Sequence, residues 1–142
     1  MTVFVDTNVL VYARDASERD KQPIAARWVR SLWESGEGRL SVQVLQEYYM
    51  TTTRKLRPGL ATEDARSDVR DLLSWRPVQM DGALVEAGWA IEDRFGLSFW
   101  DSLIVAAAHD AGCDSLLSED LSSGMDLDGL VVVNPFEAEP PL

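Results

Sequence analysis

Apolar residues along the chain alternate between short β-rich runs and longer stretches at helical spacing. Thr2-Val3-Phe4-Val5 is an apolar run that stops at Asp6, and it predicts a buried strand ending at its carboxyl edge. Val9 to Ala13 continues as helix. Between Gln22 and Ser35, residues Ile24, Ala25, Trp28, Val29, Leu32 and Trp33 share one helical face, with Pro23 in the first turn and Gly36 just past the end. Leu40 marks a short strand. Ser41 then caps a helix carrying Val42, Leu45, Tyr48, Tyr49 and Thr52, which ends before Pro58-Gly59. Thr62 is the expected cap of the next helix, with Glu63 and Asp64 in its first turn and Val69, Leu72 and Leu73 on its apolar side. Pro77 to Met80 is a candidate edge strand, and Ala83 to Phe95 a helix stopped at Gly96. Ser98 caps a strongly apolar helix, Phe99 to Ala111, closed by Gly112. Ser115-Leu116-Leu117 and Leu130 to Val133 are two further strands. Helices alternating with short apolar strands predict an α/β fold, a three-layer α/β/α domain around a central, mainly parallel sheet. The chain shows no repeat or linker, so one domain is expected over residues 1–136, with 137–142 as a loose tail.

Composition narrows the class. At 142 residues there is room for one core and not two. No apolar run is long enough to span a bilayer, and the N-terminus lacks a basic leader with a cleavable apolar stretch, so a cytoplasmic protein without membrane contact is expected. Cys113 and His109 are the single cysteine and histidine, which leaves neither an internal disulfide nor a zinc set. Net charge is −11 and uneven: residues 1–76 sum to +1 and residues 77–142 to −12. So acidic a chain is a poor non-specific binder of polyanions. Contact with nucleic acid would need a local basic face or metal ions. The densest basic cluster is Arg54, Lys55 and Arg57, read either as a phosphate contact or as complement to a helix C-terminus.

In open α/β sheets, ligands bind beyond the carboxyl ends of the strands. Asp6 follows the first strand, and Asp120 follows the Leu116-Leu117 strand. Asp101 sits in the first turn of the Ser98-capped helix. Glu47 lies mid-helix among Val44, Leu45, Tyr48 and Tyr49, where an acid needs a partner. Taken singly, each has an ordinary reading as a turn former, a cap or a complement to the helix dipole. Together they would repel: at ~5 Å and an effective dielectric of ~20, each pair costs on the order of 3 kcal/mol. Such a cluster relaxes by protonation or by binding a divalent cation, and all-oxygen ligation selects Mg2+ or Mn2+. That chemistry suits phosphodiester cleavage.

Four segments carry a resemblance. Val3-Phe4-Val5-Asp6-Thr7-Asn8-Val9-Leu10 resembles the opening motif of PIN-domain nucleases. Val44-Leu45-Gln46-Glu47-Tyr48 resembles their second motif, Phe99-Trp100-Asp101-Ser102 through Ala108 their third, and Leu117-Ser118-Glu119-Asp120-Leu121 their fourth. They occur in family order over almost the whole chain. The resemblance implies a PIN-like fold and a metal-dependent endoribonuclease. Its acidic site would be Asp6, Glu47, Asp101 and Asp120, all four as catalytic and metal-ligating residues. Asn8 and Ser118 would be polar supports, and Glu119 is an alternative to Asp120. The size of the chain implies the VapC-type subgroup. This predicts a toxin of a type II toxin–antitoxin system that arrests translation by cutting RNA, with a homodimer and a VapB-like antitoxin as partners.

Other residues have plainer readings. His109 near a helix C-terminus and Cys113 as a small apolar residue need no chemistry. Trp28, Trp33, Trp75 and Trp89 fit core or interface positions, and Trp100 is expected to pack beside Asp101 and fix it. The rival enzyme is a haloacid-dehalogenase-like phosphatase, which wants a second Asp two residues after the first, where this chain has Asn8. A receiver domain needs paired early acids that are missing. A catalytically inactive PIN-like binding module is the non-enzymatic alternative.

Overall fold

The chain was analysed as a computed structural model that describes residues 1–141, so Leu142 of the expected tail lies outside the described residues. Five strands form one sheet: β1 (Val3–Val5), β2 (Gly38–Arg39), β3 (Ser115–Leu117), β4 (Asp126–Leu127) and β5 (Leu130–Val133), in the order β2-β1-β3-β5-β4. The first four in that order pair in parallel, and β4 closes antiparallel on β5. Every residue of β1 and β3 is buried. Both faces of the sheet centre are therefore covered, which is why these strands read as unbroken apolar runs rather than alternating ones.

Six helices do the covering: α1 (Thr7–Tyr12), α2 (Lys21–Ser35), α3 (Val42–Met50), α4 (Thr62–Leu72), α5 (Gly82–Phe95) and α6 (Phe99–Asp110). Helix α1 packs on α2 and α3, and α5 on α6. Their ends follow the expected chemistry. Ser41 and Ser98 each accept a hydrogen bond from the backbone N–H three residues on, and Gly36 and Gly96 close α2 and α5 in the left-handed conformation. Past β5, Trp28 of α2 donates its indole N–H to the Pro135 carbonyl at 3.0 Å, and Arg27 pairs with Glu139.

Several details depart from the sequence reading. The strand expected at Leu40 lies just before it, at Gly38–Arg39. The edge strand expected over Pro77 to Met80 shrinks to one bridge between Ser41 and Val78, because Pro77 offers no N–H to extend a ladder. Thr62 is the first helical residue rather than the cap, which is Ala61. Helix α3 does not simply stop before Pro58. It widens into a π-turn over Thr51–Lys55, where the Thr52 and Thr53 hydroxyls donate back to the Tyr48 and Tyr49 carbonyls at 2.8 and 2.6 Å. Strand β4 is absent from the sequence reading. It pairs with β5 through a two-residue turn, Asp128-Gly129, with φ of 56° and 91°.

Strand β2 packs unusually tightly. A Cβ built on Gly38 would stand 2.6 Å from Trp75 Cζ2, and Trp75 is itself buried against Trp33. Gly38→Ala is therefore expected to destabilise the fold by about 1–3 kcal/mol through overpacking. Urea unfolding of both proteins measures it, and an unchanged midpoint would show that the indole moves aside freely.

Candidate active site

The site begins with the pairing of β1 and β3. These strands are parallel neighbours, so their carboxyl ends open on the same edge of the sheet. The ladder runs one bond further, from Asp6 N–H to the Leu117 carbonyl at 3.0 Å, which sets Asp6 beside Ser118. Asp6 is only 6% exposed. It is also the N-cap of α1, and its Oδ1 accepts from the Thr7 N–H at 2.8 Å. Its Oδ2 accepts from the Ser118 hydroxyl at 2.8 Å and from the Asn8 amide at 3.2 Å. The same Asn8 amide reaches Ser118 Oγ at 3.3 Å and Asp120 Oδ2 at 3.2 Å, while its oxygen accepts from the Glu119 N–H at 3.2 Å. Asn8 thus joins the loop after β1 to the loop after β3, and both expected supports, Asn8 and Ser118, contact Asp6 directly.

The other acids arrive from separate elements. Glu47 comes from α3, and its Oε1 accepts from the Thr7 hydroxyl at 2.7 Å. Asp101 lies in the first turn of α6, where Ser98 caps its backbone N–H at 3.1 Å. Asp6, Glu47, Asp101 and Asp120 all line one cleft of about 700 Å³, together with Thr7, Asn8, Gln43, Lys55 and Trp100. The ordinary readings hold alongside the concerted one: Asp6 caps a helix, Asp101 sits at a helix N-terminus, and both face the cleft.

Burial pushes the Asp6 carboxyl up from 3.8 to about 6; the Ser118 and Thr7 hydrogen bonds restrain the rise, and the charges of Asp120 and Asp101 add to it. The mutual repulsion anticipated from the sequence is present, but desolvation outweighs it. Among the described residues no three His, Cys, Asp or Glu side chains stand close enough to hold an ion as they are. The donor set nevertheless fits a hard divalent cation: carboxylate oxygens on one cleft, with neither a cysteine nor a histidine among its lining residues.

Glu119 is turned elsewhere. Its carboxylate accepts from Lys21 at 2.6 Å and from the Tyr12 hydroxyl at 2.7 Å, and it is Asp120 that lines the cleft. Although burial works against it, these bonds hold the Glu119 carboxyl below its ordinary range. Within the basic cluster, Lys55 lines the cleft, while Arg54 and Arg57 are exposed outside its lining. Trp100 does not pack to fix Asp101 as expected. It is 63% exposed on the cleft wall, edge-on to Phe99 at 5.3 Å, because the apolar face of α6 begins with Ser102 and Leu103. Several cleft residues escaped the sequence reading, among them Thr7, Gln43 and the acids Asp15 and Glu18. Gln43 lies one helical turn before Glu47, and that spacing was a usable signal for a shared face.

The PIN domain family model matches residues 3–122. Among solved structures, the chain is similar to FitAB bound to IR36 DNA, with a TM-score of 0.77 and 18% identity over 99% of this chain and 100% of that one. A toxin–antitoxin complex from Klebsiella pneumoniae gives a TM-score of 0.67 and 16% identity over 95% and 98% of the two chains. The sarcin–ricin-loop-cleaving toxin VapC20 of Mycobacterium tuberculosis gives 0.63 and 23% identity over 84% and 92%. At these identities the likeness is one of fold. No curated protein sequence matches the chain.

The position of Asp6 has a consequence for stability. A carboxyl raised from 3.8 to about 6 favours the protonated folded state, so its contribution to stability falls as pH rises between those values. Above about pH 6 the full penalty applies, on the order of 3 kcal/mol for a rise of about two units. In chelator, Asp6→Asn is expected to gain on wild type across this window and to lose the advantage below about pH 4. Paired urea titrations across pH measure the difference. A difference that does not move with pH would show that Asp6 ionises without cost.

Proposed function

This chain belongs to the PIN-domain family, and from that premise we propose that it is a magnesium- or manganese-dependent endoribonuclease, the toxin half of a type II toxin–antitoxin pair. The observation that carries the reading is that the buried Asp6 shares one cleft with Glu47, Asp101 and Asp120, from four separate places in the chain, a cleft that Asp15 and Glu18 also line. Asp6, Glu47, Asp101 and Asp120 are the proposed ligands and catalytic residues. When bound there, the ion would supply Lewis-acid stabilisation of the phosphate and an activated water as nucleophile.

The protein's own part is positioning. The Ser118 hydroxyl and the Thr7 N–H hold the Asp6 carboxylate in one orientation, and Thr7 holds Glu47 through its hydroxyl. Asn8 spans Asp6 and Asp120, so the two move as a unit. Lys55 brings a cation to a wall otherwise rich in acid, where it can meet a substrate phosphate. Water attacks phosphorus, the bond to the leaving oxygen breaks, and a proton passes to that oxygen. No side chain in this scheme forms a covalent bond with substrate.

The acidic cleft also favours an antitoxin that inserts a basic side chain into it, and one structure to which the chain is similar is a toxin–antitoxin complex from Klebsiella pneumoniae. A homodimer acting in the cytoplasm completes the proposal. No described helix is long and apolar enough to cross a membrane.

The purified chain is expected to cleave structured RNA internally with magnesium or manganese and to stop in excess chelator, with Asp6→Asn and Asp101→Asn severely impaired. Unchanged cleavage in chelator would sink the metal mechanism. Absence of cleavage with any divalent ion would favour the inactive binding module. In cells, expression should arrest growth, and a small adjacent gene should relieve the arrest and co-purify; an arrest that the neighbour cannot relieve counts against the toxin reading. For the basic cluster, Lys55→Gln is expected to weaken RNA binding and lower the salt slope by about one, with Arg54→Gln and Arg57→Gln doing less. Equal effects from all three would mean that the cleft has no special share in phosphate binding.

A further inference from the structure

The cleft holds more than carboxylates and a lysine. Trp100 stands 63% exposed on its wall, immediately before Asp101 in the chain. Its ring is steadied edge-on by Phe99 at 5.3 Å, which leaves a face free. The first turn of α6 holds the indole there. Beside it, Gln43 of α3 lines the same cleft although it is only 5% exposed. Its Nε2 donates to the Trp100 carbonyl at 3.4 Å, tying the two residues together. Its Oε1 is buried and has no hydrogen-bond partner among the described residues. Buried amide oxygens are nearly always satisfied, so this one calls for a donor from outside the described residues, and a small turn of the side chain toward the cleft that Gln43 lines would let a ligand supply it.

The geometry points to a base-binding subsite at Trp100 and Gln43, in which an unpaired nucleobase beside the scissile phosphate stacks on the Trp100 indole and donates from its edge to Gln43 Oε1. This rests on the ribonuclease reading of the neighbouring carboxylates and extends it to what the enzyme selects. A stacking face accepts any base. Gln43 adds the choice: with Oε1 as acceptor and the second hydrogen of Nε2 as donor, its amide matches a base edge that sets an amine beside a ring nitrogen, as adenine and cytosine do and uracil does not. Lys55 on the same cleft supplies the cation that a stacking platform needs beside it to hold the backbone. The preferred substrate is therefore RNA with an unpaired amine-bearing base, adenine or cytosine, at the cut, as in a loop or bulge.

The test is binding of short oligoadenylate and oligouridylate to the full chain in chelator, where no cleavage interferes. Wild type is expected to prefer oligoadenylate. Trp100→Ala should lower affinity for both by about tenfold, while Trp100→Phe keeps most of it. Gln43→Leu should erase the preference, costing oligoadenylate more affinity than oligouridylate. Gln43→Glu, which preserves shape, serves if the leucine variant fails to fold, and it too should lose the preference. Cleavage with metal is followed separately. A Trp100→Ala protein that binds and cuts as wild type does overturns the subsite and leaves the nuclease reading standing. Binding with these effects but without cleavage in any ion removes the nuclease reading and leaves a base-binding site. No affinity of the wild type for either oligonucleotide overturns the subsite, and cleavage with metal then decides the nuclease reading by itself.

Discussion

Asp6 is a carboxylate placed where a carboxylate is expensive, and the surrounding structure depends on keeping it there. It ends a fully buried strand, caps the following helix and accepts from a serine on the neighbouring strand's end. Each of these contacts fixes it more tightly, and none removes the cost of ionising it in so dry a position. Thr7 and Asn8 follow directly, and each spends its side chain on another acid as well. The Asp-Thr-Asn triplet is therefore a single hub from which Glu47 and Asp120 are positioned.

Around that hub the cleft sorts charge by element. The strand ends and the start of α6 bring acids. The π-turn after α3 brings Lys55 to the same wall. Glu119 shows how selective the arrangement is, since one residue away from Asp120 an equally acidic side chain is drawn off by Lys21 and Tyr12 and kept out of the cleft. Two adjacent acids thus take different roles because only one has a cation and a phenol within reach.

How far this was legible in the sequence differs by element. The strand ending at Asp6, the serine-capped helices and the parallel sheet follow from local rhythm and cap chemistry, and the structure has them. The polar supports Asn8 and Ser118 were legible from position within short motifs. The β4–β5 hairpin was missed although Asp128-Gly129 is a strong turn signal, because Leu127 alone offers too short an apolar run to suggest a strand. The π-turn was missed because two consecutive threonines, Thr52 and Thr53, bonding back to the preceding turn leave no periodic trace. Trp100 was misjudged for a different reason: neighbours in sequence say little about which side of a helix faces the core, and that was settled by how α6 lies on α5 and the sheet. Gln43 could have been found by counting one turn back from Glu47, but its lack of a hydrogen-bond partner is a property of the fold alone.

The hydrogen bond from Ser118 to Asp6 joins residues 112 positions apart. Nothing nearer in the chain can take its place, since β1 has β2 on one side and β3 on the other. During synthesis, Asp6 therefore leaves the ribosome early and waits, and its cleft stays open on one side until β3 and the loop carrying Asp120 have followed. Nearly the whole chain has to be made before the four acids can face one another.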